Sequence, residues 1–372
     1  MQVPVRLTFL LQPSVAPGVL VAVAYSTLVM VSTPFLLNLV AAHYAVSLTA
    51  ASFVGVFQLG GFVAGSWGGG RWLQPRRRVF IAAMIASAVA NLASSLLPVF
   101  PLLVGLRGVS GVSLGLLSWF AWVQVFGDDD GMADIAVIGP VAGIVAGPVV
   151  AVFAQRGIQE LFLALGLAAI VPLAMNRGTG AAHKSLPSKT RSKPVPAALV
   201  ILVALTLFTL GGSSVFQYVV VVGTGSIGLS ASTIGLLFSM NAIAGIPGAR
   251  WPWKRGIPSI WIGGTGLCAV ILMNVSAAVL FGAVVVVWGF AFWMATPAVF
   301  SALADRSAHP ADRAGDAQAV MALGRVIGPL IGGVVFDTLG PSAVGLIGGG
   351  LMFIAAITIF TVRQTAPPRT GI

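Results

Sequence analysis

A chain of 372 residues that is 58% hydrophobic and 8% charged, with a mean hydropathy of +1.01, cannot clothe a soluble domain, whose surface draws on about 25% charged residues. An ordinary soluble enzyme, a nucleic-acid module and a disordered chain are excluded, and the net charge of +11 reads as basic loops beside a membrane, with no nucleic-acid partner. One cysteine (Cys268) and three scattered histidines (His43, His183, His309) supply neither a disulfide framework nor a metal site, and no cofactor is expected.

A helix needs about 20 apolar residues to cross a bilayer. Charges, prolines and glycine clusters divide the chain into such segments at 17–42, 48–70, 79–99, 101–126, 131–153 and 158–176, then 196–222, 230–250, 257–276, 279–303, 316–337 and 342–362. The first run is too long for a signal peptide and lacks a small-residue cleavage site, so it reads as a retained span. Backbone groups must pair internally in lipid, and the alternation of a barrel is absent, so the spans are helices. The expected fold is all-α and integral to the membrane, with twelve transmembrane helices in two six-helix bundles. The segment 177–196, basic and rich in Gly, Ser and Pro, is the one linker, with bundles at 1–176 and 197–372. The connecting loops leave no room for a soluble domain.

Basic residues test that topology. With the N-terminus in the cytoplasm, Arg6, the run Arg71, Arg76, Arg77 and Arg78, the five in the linker, Arg250, Lys254 and Arg255, and then Arg306, Arg313, Arg363 and Arg369 all fall inside. These are 17 of the 20 basic residues. Such a bias predicts a multi-pass protein of the cell membrane with both termini cytoplasmic.

The halves carry a repeated pattern. The fifth span holds Gly143, Gly147 and Pro148, and the eleventh holds Gly324, Gly328, Pro329, Gly332 and Gly333. Gly at every fourth position lets helix backbones approach closely, and Pro lets a helix bend. Parallel repeats of this kind mark a two-bundle transporter with its site between the bundles.

These glycines resemble the antiporter motif of the major facilitator superfamily, and the resemblance covers essentially the whole chain. Within that superfamily the chain resembles the twelve-span drug:proton antiporter and small-metabolite efflux group. The fourth span, with Arg107, Gly108, Gly111 and Gly115, is similar to the family's pattern of an arginine followed by spaced glycines. The loop Gly70–Arg78 resembles the signature loop but departs from it. Gln74 stands where the usual Asp falls and Pro75 where a basic residue falls, so the charge pair that locks the outward-facing state is not expected in its usual form. A weaker copy lies at Gly245, Gly248 and Arg250, and Asp312–Gly315 also fits the family pattern. The resemblance implies alternating access, with a small-molecule substrate, the bilayer and a candidate proton as partners, in a monomer.

Charged groups inside a span are costly and are functional candidates by default. Arg107 and Arg325 are the two. Gln58, Asn91, Asn241, Trp293, Gln217 and Tyr218 are the polar and aromatic candidates for a cavity; Trp288 and Trp293 differ by about 140° round their helix, so one of them is expected to face it. No carboxylate lies at mid-membrane, which leaves Asp134, Asp337 and His43 as candidates for proton coupling. Walker and H-E-x-x-H motifs are absent and no strand-to-helix Ser elbow is read, so the chain is not expected to be an enzyme or to use ATP directly. The string Gly223, Gly225, Gly228 follows no strand and reads as a loop. Three functions remain: an exporter of a small, amphipathic or uncharged compound, an anion carrier using Arg107 and Arg325, and a non-transporting partner or sensor subunit.

Overall fold

The computed structural model describes residues 16–125, 129–176, 179, 194–249, 257–306 and 310–365. Among them every regular element is an α-helix. In chain order these are α1 (Pro17–Tyr44), α2 (Leu48–Trp72), α3 (Arg77–Ser95), α4 (Phe100–Val125), α5 (Asp129–Arg156), α6 (Ile158–Ala168) and α7 (Ile170–Ala174). After the linker come α8 (Pro196–Phe216), α9 (Val219–Gly225), α10 (Ala231–Ala249), α11 (Pro258–Asn274), α12 (Ala278–Asp305), α13 (Pro310–Leu339) and α14 (Pro341–Thr365).

Ten of these segments are long and apolar enough to span a membrane, with α8 and α9 counted together; Ile158–Ala174 and Pro258–Asn274 are apolar but shorter. The ends follow local chemistry. Pro17, Pro196 and Pro258 open their helices, where a missing N–H costs nothing. Ser47 caps α2 by accepting a hydrogen bond from the Ala50 amide at 3.1 Å. Leu97, at φ 51°, and Pro98 stop the third span at Ser95, short of the predicted 99. The sixth span breaks at Ala169 and the seventh at Gln217–Tyr218. Gly223 and Gly225 belong to α9, so the string read as a loop is partly helix, and only Gly228, at φ 77°, lies beyond it.

The helices pack as two bundles with matching neighbours. In the first, α2 lies on α4, α3 on α4 and α6, and α1 on α5. In the second, α10 lies on α12, α11 on α12 and α14, and α8 on α13. Two seams join the bundles, α5 with α10 and α2 with α13. The linker proposed at 177–196 lies almost wholly outside the described residues. The end of the molecule where α7 stops and α8 starts is called the linker face below, and the opposite end the far face.

The α2–α4 contact shows how sequence sets this packing. A Cβ on Gly61 would strike the Gly108 carbonyl, on Gly65 that of Val112, on Gly111 that of Gln58, and on Gly115 that of Phe62. Glycines thus stand on both surfaces of one seam, and Ser66 donates across it to the Gly115 carbonyl at 3.1 Å. In lipid such backbone contact replaces the hydrophobic drive between helices. Gly111→Ala should therefore destabilise the protein by about 1–3 kcal/mol, the usual cost of overpacking. Gly105→Ala on the same helix, where a methyl meets open space, should leave the melting temperature level or raise it. Thermal unfolding of the two variants in detergent checks the contrast; equal losses would show that the seam is looser than described.

Candidate functional site

Arg107 projects from α4 into the first bundle and is fully buried. Its Nη1 donates to Asn91 Oδ1 at 2.6 Å, and its Nε and Nη2 donate to Gln58 Oε1 at 3.1 and 2.5 Å. Asn91 Nδ2 donates in turn to the Tyr25 hydroxyl at 3.2 Å and to the Ser87 carbonyl at 2.8 Å, and the Tyr25 and Ser87 hydroxyls meet at 2.8 Å. Gln58 Nε2 donates to Thr33 Oγ1 at 3.3 Å. The Phe162 ring lies 5.2 Å under the guanidinium. Four helices of the bundle, α1 to α4, are tied at this node and α6 closes it from below. Three predicted site residues, Arg107, Gln58 and Asn91, are thus in one cluster, sealed from solvent. Tyr25, Ser87 and Thr33 complete it. Among the described residues no carboxylate answers the charge; neutral oxygens and a ring face hold it.

Arg325 is different. In α13, Gly324 and Gly328 face α8, where a Cβ would meet Thr209, Leu210 and Ser213, while Gly333 faces α2 at Thr49. At about 100° per residue, Arg325 projects within about 20° of Gly332, whose Cβ would meet Ser214 and Tyr218. It therefore emerges on the side of α13 that faces the α8–α9 break. The side chain is half-buried, and among the described residues it has neither a hydrogen-bond nor an ion-pair partner. Two cations, one caged and one free, are the main electrostatic features of the described interior. The described carboxylates, Glu160, Asp316 and Asp337, all lie toward helix ends.

The bundles meet toward the far face. Asn38 Nδ2 donates to Thr224 Oγ1 at 3.1 Å, Gln155 Nε2 to Ser232 Oγ at 2.8 Å, and Ser239 Oγ to the Ile144 carbonyl at 2.5 Å. Asp337 Oδ2 accepts from the Thr49 amide at 2.7 Å and from its hydroxyl at 2.6 Å, so a carboxylate of one bundle caps a helix of the other. Beneath these bonds runs a chain of rings. Phe35 meets Phe238 with centroids 5.6 Å apart, Phe238 stacks on Phe216 at 5.3 Å, and Phe216 lies 5.9 Å from Trp288. These side-chain hydrogen bonds between the bundles run from the middle of the helices to the far face.

The repeated glycines do not repeat a role. Gly147 of α5 packs across the seam on Gly235 of α10, and Gly143 faces Ala242 there. Gly324, Gly328 and Gly332 of α13 pack on α8 within their own bundle, and Gly333 alone reaches the other one. Pro148 and Pro329 sit inside continuous helices, and the Pro329 carbonyl accepts from Tyr218 at 2.8 Å. Tyr218 is buried and stacks on Phe336, and Gln217, beside it at the helix break, faces Gly55 of α2. Asn241 Nδ2 donates to the Val285 carbonyl at 2.7 Å and joins α10 to α12. Trp293 fills the notch left by Gly245 and Gly248, whereas Trp288 stands by α8. His43 is exposed at the far end of α1 against the Tyr44 ring. Near the linker face Arg76 donates to Gln74 Oε1 at 2.6 Å, Arg77 binds Asn176, and Arg78 is exposed. The side chains of Asp134 and Arg71 lie outside the described residues. The far-face partners Thr49, Thr224, Gln155 and Ser232 were missed in the sequence, although Ser47 with Thr49 and Ser230 with Ser232 open α2 and α10 with one pattern.

No protein-family model matches the chain. Solved structures do. The human organic anion transporter MFSD10 aligns with a TM-score of 0.65 at 14% identity, over 94% of this chain and 100% of that one. The nucleoside transporter NupG aligns at 0.70 and 12% identity, over 93% and 98%. A bacterial homologue of the human lysosomal transporter Spinster, in an inward-facing and occupied conformation, aligns at 0.71 and 12% identity, over 94% and 96%. These structures are membrane transporters rather than enzymes, and the alignment over more than nine-tenths of the chain gives the two bundles and their seams a single reading: the chain has the fold of the major facilitator transporters.

Proposed function

We propose that the chain is a secondary carrier that moves a small amphipathic anion by alternating access between its bundles. The observation that carries this reading is Arg325, half-buried inside an apolar span with no partner among the described residues. A guanidinium there is costly unless a ligand supplies the missing charge, and its planar fork suits a carboxylate or phosphate. Arg107, caged by neutral groups, adds positive potential behind the first bundle's wall. The ring chain from Phe35 to Trp288 suits the apolar part of such a molecule. In this reading the far face is shut and the site opens toward the linker face, which the basic-residue bias places in the cytoplasm. Loading from that side supports export. A proton-coupled cycle would draw on Asp337, Asp134 or His43.

Transport into proteoliposomes tests it. Labelled aromatic carboxylates should be taken up against a counter-gradient. Arg325→Gln should lower that flux by 100-fold or more, in the range of the roughly 2–5 kcal/mol lost when a buried charge pair is broken. Arg325→Lys should recover part of it, because the charge stays and the fork is lost. The ring chain also favours a second reading, export of an uncharged amphiphile. Full transport of neutral amphiphiles by Arg325→Gln, with no flux of anions in the wild type, would select that one.

A further inference from the structure

A second site lies away from Arg325, in the first bundle. Helix α5 packs on α1 and across the seam on α10, while α6 packs on α3. The two helices turn into each other at Gly157, whose φ of 142° only glycine adopts freely and where a Cβ would strike the Glu160 carboxylate. Diverging from that turn, they leave a cleft of about 410 Å³. Val149, Phe153, Leu161, Leu165 and Ala168 form its walls and Leu28 of α1 its floor, so the lining is almost wholly apolar. Leu163 and Leu167 at its lip are 42% and 49% exposed on a helix that must face lipid. Arg156 and Glu160 also line it, at the far-face end, where headgroups lie. Arg156 rests on the Phe153 ring at 5.4 Å. Although the two residues stand one helical turn apart in sequence, the bend at Gly157 keeps them from pairing, and among the described residues neither has an ionic partner.

An apolar trough ending in one unpaired cation and one unpaired anion is the complement of a zwitterionic phospholipid. We propose that this cleft is a binding site for a phospholipid with a primary-ammonium headgroup. One acyl chain fills the trough, the phosphate binds Arg156 and the ammonium donates to Glu160. A choline headgroup has no N–H to donate there, and a glycerol headgroup offers Glu160 hydroxyls but no positive charge, beside a net negative lipid. The bound chain would brace α5, which carries both Gln155 and the Ile144 carbonyl of the far-face seam.

The test uses the full chain, purified in detergent and stripped of lipid, titrated with phosphatidylethanolamine, phosphatidylcholine or phosphatidylglycerol of one acyl composition. Retained lipid is counted by native mass spectrometry and stability followed by thermal unfolding. The wild type should bind the ethanolamine lipid roughly fivefold more tightly than the choline lipid, the equivalent of about 1 kcal/mol for an interfacial charge contact. Glu160→Gln, exposed and nearly isosteric, should bind the two equally. Arg156→Gln should weaken all three lipids. Ala164→Trp, which fills the trough, should lose retained lipid while its lipid-free melting temperature stays at the wild-type value. Equal binding of the three lipids by the wild type, or an ethanolamine preference that survives Glu160→Gln, overturns the proposal.

Discussion

Gln58→Leu should damage the protein more than Arg107→Met, although arginine is the larger and costlier residue. Arg107 is fully buried, and its charge is held by the oxygens of Gln58 and Asn91. Removing the glutamine leaves a buried guanidinium with half its acceptors gone, and an uncompensated buried charge costs about 3–5 kcal/mol. Removing the arginine takes the charge away with it. It leaves two neutral amide oxygens unsatisfied, each worth about 1–3 kcal/mol but free to turn toward Thr33, Tyr25 or Ser87. The double variant should therefore be more stable than Gln58→Leu alone, with a coupling of about 1–3 kcal/mol in a double-mutant cycle. Monodisperse yield and melting temperature in detergent read all three. Additive losses would mean that the charge does not depend on the glutamine, and the cage would be a packing accident.

Asp337→Ala should release the far face. The Asp337 carboxylate accepts two short hydrogen bonds from Thr49 and sits at the positive end of α2, so it holds α13 to α2 by charge as well as by geometry. Its exposure discounts the gain, and about 1–2 kcal/mol corresponds to a shift of about 5- to 30-fold in the open population. Ser52, buried one turn below Thr49, reports on this once changed to cysteine, since the native Cys268 is itself buried. A water-soluble maleimide added from the far side should label Ser52→Cys faster by that factor in the Asp337→Ala background. Asp337→Asn should fall between, because an amide oxygen still accepts but carries no charge. Gln155→Ala, which removes a neutral hydrogen bond on the other seam, should change the rate less. Unchanged labelling in Asp337→Ala would remove the latch.

Most of the fold was legible because lipid leaves the chain few choices. Every predicted span corresponds to helix, and the errors fall where local chemistry overrides length. Leu97 and Pro98 end α3 early, and Gln217–Tyr218 split a run that hydropathy shows as unbroken. The cluster of Arg107 with Gln58 and Asn91 was half visible. Polar residues in apolar runs marked its members, but nothing in the spacing says that residues on three helices meet. The glycine motifs misled in a different way. The spacing recurs, but which neighbour a glycine stripe faces depends on helix rotation, so Gly147 came to serve the seam and Gly324 its own bundle. The seam residues Thr49, Gln155 and Ser232 were hidden, and even the pattern shared by the starts of α2 and α10 does not reveal them, because serines, threonines and amides at helix ends are what capping alone requires.

The solitary guanidinium of Arg325 gives the membrane voltage a grip on the cycle. A charge carried across part of the bilayer field is worth about 2.3 kcal/mol per 100 mV for the full drop. An empty carrier of the kind proposed holds that positive charge bare, so an inside-negative potential draws its site to the inner side. An anion in the site cancels the charge, and the loaded carrier turns without electrical work. The field then drives only the return of the empty site, so in this reading the membrane potential alone would reset the carrier for the next molecule, with no second ion required to bind.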